Sequence, residues 1–470
     1  MIDIEKVTQQ LPVFDTFCSV DKLHRLVEGL QTDKRFNIQV AGTSEAGIPI
    51  YHIQFGEGSV KALVVAGPHA DEPIGSLTAF GLLTLLKNNN KELVGRDIQW
   101  HIIPCIDPDG AKLNEGWTQQ PYSFKNFMRN FHKQYPTEQV DGSFPLSYKE
   151  IYFNQPTPEA RALMDVLESV VPDFYYSLHN AFAGGCYFVL SDDLGLECYQ
   201  ALYRLLGKYN IGLNANSIND GFLQSYAESI YKLPSARVGY DFHEKSGKDF
   251  RDFKKGGDTS WGYFQEINPD MVTFVSELAY LNFPIETFRE TNIYLRQLVL
   301  QADADNKFVK TVILEEWNKV KNDLDIANPF YKKVSAYILL AEKNLHECAP
   351  ETPFMQYQNL LSDPKYSGKA TGDKRFNLHM TVYWVLCHNY EFVRLLKASQ
   401  QTAIIQSSIN RLESLFDNLL EDIGKNINLS ELEVIDVNTL AKVQLGSGLI
   451  ALNAVLERKN TELRARNQGE

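Results

Sequence analysis

Three segments of this chain place a histidine or a carboxylate where chemistry is possible. The first, Ala62-Leu-Val-Val-Ala-Gly-Pro-His-Ala-Asp-Glu-Pro-Ile-Gly75, is an apolar run that ends at Ala66 and turns at Gly67. It presents His69 and Glu72 just ahead of a helical stretch. In open α/β sheets, sites form in crevices at the carboxyl ends of strands, and this pair falls there. An imidazole and a carboxylate three residues apart on such a turn can face one ion. Alone the spacing says little in a chain with ten histidines. The second segment, Asp173-Phe-Tyr-Tyr-Ser-Leu-His179, is another apolar run closed by a histidine, with Gly184-Gly185 soon after it. A polar residue capping a strand end is the plain alternative. Two histidines and one carboxylate, however, make the ligand set of a catalytic zinc, with one position left for water. The ion would lower the pKa of that water and polarise a carbonyl. A general base is then required. Thr273-Phe-Val-Ser-Glu-Leu-Ala279 offers Glu277 at the end of an apolar strand, where a carboxylate is costly unless it has a partner or a task.

The elements around these residues alternate over about the first 285 positions. Strand-like runs fall at 62–66, 98–106, 174–178, 187–190 and 272–275, with helical segments at 73–86 and 158–170 between them. Pro73 and Pro158 suit a first helical turn, where the missing amide hydrogen costs nothing. The alternation predicts an α/β layer with a largely parallel sheet. Beyond about residue 290 the pattern turns helical. Ile405, Ile409, Leu412, Phe416, Leu419 and Ile423 form one stripe; Leu378, Val382, Val385, Phe392 and Leu396 form another. Plain packing of a helical bundle accounts for both. The stretch from Pro350 to Gly372 reads as a loop inside this half.

With 46 basic and 59 acidic residues among 470, the net charge is −13, which disfavours a nucleic-acid partner. No signal-like amino terminus and no run of about 18 apolar residues is present, so neither export nor a membrane span is expected. The six cysteines lack Cys-x-x-Cys spacing and read as reduced core residues. A cytoplasmic protein is the expectation.

Several boxes, taken in order, resemble the carboxypeptidase A-like zinc metallocarboxypeptidases, or funnelins, over roughly residues 40 to 285. They are Gly42-Thr-Ser-Glu-Ala-Gly47, Pro68-His-Ala-Asp-Glu-Pro73, Asp107-Pro-Asp-Gly110, Met128-Arg-Asn-Phe131, Gln155-Pro-Thr-Pro-Glu-Ala160, Ser177-Leu-His179, Gly256-Gly257 and Ser276-Glu277. The resemblance implies a mixed sheet between helices, one zinc on His69, Glu72 and His179, and Glu277 as the base. It implies Arg129 as a clamp for the substrate's terminal carboxylate. Asp258 and Thr259 stand where the family places its specificity pocket, although ordinary turn residues would look the same. Lys112 is the nearest match to the arginine that polarises the scissile carbonyl, and a solvated loop lysine is an equal reading.

The chain also departs from the family. Met128 replaces an asparagine that supports the clamp, and Asn126 stands where an aspartate would orient a zinc histidine. The loop Phe250 to Lys255 lacks the family's tyrosine, and Tyr240 and Tyr263 match it poorly. The expectation is a catalytic domain at 1–288 and an all-α domain at 289–470. The expected reaction is zinc-dependent hydrolysis of an amide next to a free carboxylate, on a peptide or small amide substrate. A deacylase acting on N-acyl amino acids, of the aspartoacylase and succinylglutamate desuccinylase type, and a degenerate binding protein are the rivals. Nothing in the sequence assigns an oligomeric state.

Overall fold

The computed structural model describes residues 1–214, 224–245, 256–282, 290–346, 367–427 and 432–468. The chain divides into two units. One comprises 1–120, 133–282 and 434–470; the other comprises 121–132 and 283–433.

The first unit is built on a nine-stranded mixed sheet. Its chain-order strands are β1 (Phe36–Thr43), β2 (Pro49–Phe55), β3 (Val60–Ala66), β4 (Ile98–Ile103) and, after a separate hairpin of β5 (Leu146–Tyr148) and β6 (Ile151–Phe153), β7 (Phe174–His179), β8 (Tyr187–Leu190), β9 (Ser225–Ala227), β10 (Ile230–Lys232) and β11 (Val272–Glu277). The order across the sheet is β1-β2-β4-β3-β7-β11-β8-β10-β9. Its centre, β4-β3-β7-β11, is parallel, and antiparallel pairs flank it. Parallel strands covered on both faces read as continuous apolar runs, and β3, β7 and β11 are buried almost throughout.

The two faces divide these strands by alternation. Leu63, Val65 and Tyr175 pack with Leu163, Val166 and Phe264 from the helices Pro158–Val170 and Ser260–Gln265. Val64, Phe174 and Tyr176 face the other way, toward Leu82 of the helix Ile74–Lys87 and Leu445 and Leu449 of the helix Val437–Gln468. Pro158 opens its helix behind the Thr157 cap, as expected, whereas Pro73 occupies the cap position itself.

The division is not at residue 288. The final helix belongs to the sheet unit, where the amino-terminal segment clasps it: Asn453 exchanges hydrogen bonds with the Ile2 backbone, and Asn438 with Phe14. Its helical periodicity resembles that of the preceding bundle, so sequence cannot tell which core it completes. The stretch Val437–Glu462 is apolar and long enough to cross a membrane, unlike the expectation above. In this structure 72% of its most apolar part is buried inside the protein.

The second unit contains the helices Phe124–Asn130, Leu295–Val320, Tyr331–His346, Gly372–Ala398 and Ala403–Ile427. The stripe on the last of these is buried as expected, except that Leu420 takes the inward place assigned to Leu419. The proposed loop at 350–372 lies mostly outside the described residues, as does the 250–255 segment. The five described cysteines are free and buried.

Gly448 lets the final helix lie directly on Tyr176: a Cβ there would meet the ring at 2.1 Å. Gly448→Val should therefore destabilise the protein by about 1–3 kcal/mol, the usual cost of overpacking a dense core. A lowered urea midpoint at unchanged m checks this, and an unaltered midpoint would show that the helix is not seated there.

Candidate active site

Parallel pairing brings the ends of three central strands level. Ala66 pairs with Leu178, and His179 pairs with Glu277. Beyond Ala66 the chain turns at Gly67, whose φ of +70° lies in the region that glycine adopts without strain. Gly75 then lets the following helix approach: a Cβ there would stand 2.9 Å from Leu178 Cβ and 3.3 Å from Ala66 Cα. This close seating holds the 69–72 turn against the end of β7.

His69, Glu72 and His179 converge there, with donor atoms all within 4.8 Å of one another. Glu72 bridges the two rings, its Oε1 lying 2.7 Å from His69 Nδ1 and its Oε2 3.0 Å from His179 Nδ1. A second contact fixes the His179 tautomer. Asp141 Oδ2 lies 3.2 Å and Ser177 Oγ 3.0 Å from Nε2; an ionised carboxylate can only accept, so Nε2 carries the proton and the Ser177 hydroxyl accepts beside it. Nδ1 is then the nitrogen turned toward Glu72, and only in the neutral ring that a metal requires would its lone pair be offered on that side. This nitrogen is buried and has no well-directed hydrogen bond. An orphaned buried nitrogen beside a carboxylate and a second imidazole is the donor set that zinc takes, so these residues fit the ion. Asp141 is itself anchored by the Ser260 amide at 2.9 Å.

The electrostatics match a site built for a cation. Burial would raise the Glu72 carboxyl, but His69 and His179 hold it well below the usual carboxylate range. Burial opposes the charged form of His179, yet Glu72 and Asp141 raise it well above an ordinary histidine. Glu277 is pushed up to about 7, first by burial and then by Glu72, with His179 and Lys133 opposing.

Lys133 supplies the positive charge here. Its Nζ lies 3.1 Å from Asp71 and 3.9 Å from Glu72, and these carboxylates raise its pKa against the effect of burial. The next residue pins it, because Gln134 Nε2 donates to Asp107, the buried cap of the helix Pro108–Thr118. Tyr187 on β8 pairs opposite Glu277, and burial together with that carboxylate keeps its phenol protonated. Asn180 ties the turn together: its amide donates to Glu72 Oε2 at 3.2 Å, and its side chain accepts from Ile74 N at 3.1 Å.

The remaining predicted residues have other partners. Lys112 is 42% exposed and paired with Asp21 at 3.0 Å, on the helix after the Asp107 turn. Arg129 lies in the helical unit, where its Nη2 pairs with Asp417 at 2.8 Å; Met128 is buried there, and Asn126 bonds Asn130. Where position 126 has asparagine in place of the family's orienting aspartate, it is Asp141 whose carboxylate lies beside His179. Thr259 caps the helix Ser260–Gln265 through the Gly262 amide. Asp258 exchanges backbone hydrogen bonds with Phe144 and accepts the Thr259 amide. The glycine pair before them has a steric cause: a Cβ at 256 or 257 would meet the Gly142 or Phe144 carbonyl at 2.2 or 1.9 Å. Sequence reasoning missed Asp141, Lys133, Asn180 and Tyr187. Asp141 and Lys133 lie in irregular segments, and Asn180 and Tyr187 carry no charge, so no local pattern marks them.

A family model described as zinc carboxypeptidase matches residues 24–278. No curated protein sequence matches the chain. Among solved structures, the metallo-carboxypeptidase of Burkholderia cenocepacia is 12% identical with a TM-score of 0.32. That match covers 56% of this chain and 60% of the Burkholderia one, so this chain spans less than two thirds of that relative. Bovine thrombin-activatable fibrinolysis inhibitor is 14% identical, with a TM-score of 0.34 and coverage of 55% and 86%. Carboxypeptidase A of Helicoverpa armigera is 13% identical, with a TM-score of 0.34 and coverage of 59% and 67%.

Metal analysis of the purified protein should find about one zinc per chain, lost in His69→Ala. Asp141→Asn should weaken zinc binding about 10–100-fold, the usual effect of removing a histidine's outer partner. A chelator competition giving equal affinities for Asp141→Asn and wild type would remove Asp141 from that role.

Proposed function

Because the chain belongs to the zinc carboxypeptidase family, whose model its residues 24–278 match, we propose that it hydrolyses an amide bond next to a free carboxylate. One observation supports this reading above the others: a three-residue ligand set stands beside Glu277 at the level ends of parallel strands. His69, Glu72 and His179 would hold one zinc ion, which when bound supplies a Lewis acid and an activated water.

The protein's own groups divide the remaining work. Glu277, in its ionised form, accepts a proton from the attacking water and passes it to the leaving nitrogen. Its raised pKa lets it take that proton and release it again near neutral pH. Negative charge then develops on the scissile carbonyl oxygen. Lys133 is the cation beside the ligand cluster and faces this charge, with Asp71 restraining its ammonium. Asp141 keeps His179 in one tautomer and ring orientation.

The substrate is a peptide or small amide. Arg129 is engaged with Asp417 and Met128 is buried, which supports a carboxylate clamp unlike the family's usual one. Ordinary C-terminal residues of unstructured peptides are therefore not the favoured substrates. The chain's acidic surface supports a role without nucleic acid.

Glu277→Gln should retain zinc and lose about 10²–10⁴ in kcat. Lys133→Ala should lose about 10²–10³ in kcat, and more than Lys112→Ala. A panel of C-terminal dipeptides, gamma-linked dipeptides and N-acyl amino acids tests the substrate. High kcat/KM on plain dipeptides would sink the altered clamp, and a preference for N-acyl amino acids would move the protein to the deacylases. No hydrolysis of any panel member by zinc-loaded wild type would overturn the enzymatic reading.

A further inference from the structure

The helix Val437–Gln468 lies wholly beyond the matched family region, yet it reaches the back of the candidate metal cluster. Gln444 is the point of contact. It is fully buried, on a stretch of helix where Leu440, Ala441, Val443 and Leu445 are buried too. A buried amide in such apolar company is costly unless each of its polar atoms is satisfied.

Each is satisfied by an element of the site. Nε2 donates to the His179 carbonyl at 2.9 Å. Oε1 accepts the Thr78 hydroxyl at 2.8 Å, on the helix that follows Glu72. The Gln444 main-chain carbonyl accepts the Tyr176 hydroxyl at 2.6 Å. That hydroxyl in turn lies 2.7 Å from Ser276 Oγ, the residue before Glu277. The same His179 carbonyl also accepts from Asn180 Nδ2 at 2.7 Å, so both of its lone pairs are used. One residue of the last helix thus bonds to β7 at its final residue and, through one hydroxyl each, to the helix that follows Glu72 and to the strand that carries Glu277.

We propose that Gln444 is a positioning residue for the zinc ligand His179, and that the last helix is a working part of the catalytic unit. It fixes the backbone of His179 from behind, while Asp141 fixes its ring from the front. The inference rests on the metal reading above. It adds a residue from outside the family region to the machinery that sets the ligand geometry.

The test compares two buried variants. Gln444→Met keeps the volume and removes the bond to His179; Thr78→Val removes only the bond at the other end of the amide. Zinc affinity is measured by competition with a chelating dye, on samples whose fold is checked by circular dichroism, alongside thermal melting. Gln444→Met should bind zinc about 10–100-fold more weakly than wild type, as outer partners of ligands do. Thr78→Val should melt earlier yet bind zinc within about threefold of wild type. Equal losses in both variants, or wild-type affinity in folded Gln444→Met, would overturn the proposal. Should Gln444→Met fail to fold, Gln444→Asn, whose amide falls one methylene short of His179, replaces it in the same comparison, and the same two results would overturn the proposal. Wild type that binds no zinc would instead defeat the metal reading itself.

Discussion

Everything at the site depends on the parallel ladder joining β3, β7 and β11. In a parallel sheet, residues at one level share one end of the structure, and the register sets which side chains arrive there together. His179 stands opposite Glu277, and Leu178 opposite Ala66, so the turn bearing His69 and Glu72 starts at the same height. A slip of one residue in either pairing would send the side chain to the opposite face. Burial on both faces resists such a slip, because Leu63, Val65 and Tyr175 belong to one core and Val64 and Tyr176 to the other.

That geometry gathers charge in a place that resists charge. Asp71, Glu72, Asp141 and Glu277 meet Lys133 and two histidines behind a largely buried wall. A low-dielectric site with more carboxylates than cations is expensive unless a further positive charge is present. A dication relieves that imbalance, and it becomes the largest local charge wherever it binds. The same imbalance explains why His179 and Glu72 shift in opposite directions, each holding the other ionised.

What was legible in the sequence follows from locality. His179 and Glu277 each end an apolar run, and His69 and Glu72 lie on the turn just after one, so a local pattern exposes them, and the central strands were readable for the same reason. Cations carry no such mark. Lys112 and Arg129 looked eligible, but their partners, Asp21 and Asp417, lie far away in the chain. Lys133 and Asp141 sit in irregular segments between elements and gain their meaning only from what folds against them. The last helix was misassigned because amphipathic periodicity reveals that a face is buried, not which core buries it.

The place of that helix in the chain has a consequence for biosynthesis. All strands of the central sheet leave the ribosome before residues 283–433 do, and only then does the segment from 434 onward follow. At about 5–20 residues per second, the intervening stretch delays it by roughly 8–30 s. Through that interval Val64, Tyr176 and Thr78 lack their final cover, while the helical unit can already complete itself. The sheet face behind β7 therefore stays open until the chain is almost fully made, and the contact that backs His179 is among the last that synthesis supplies.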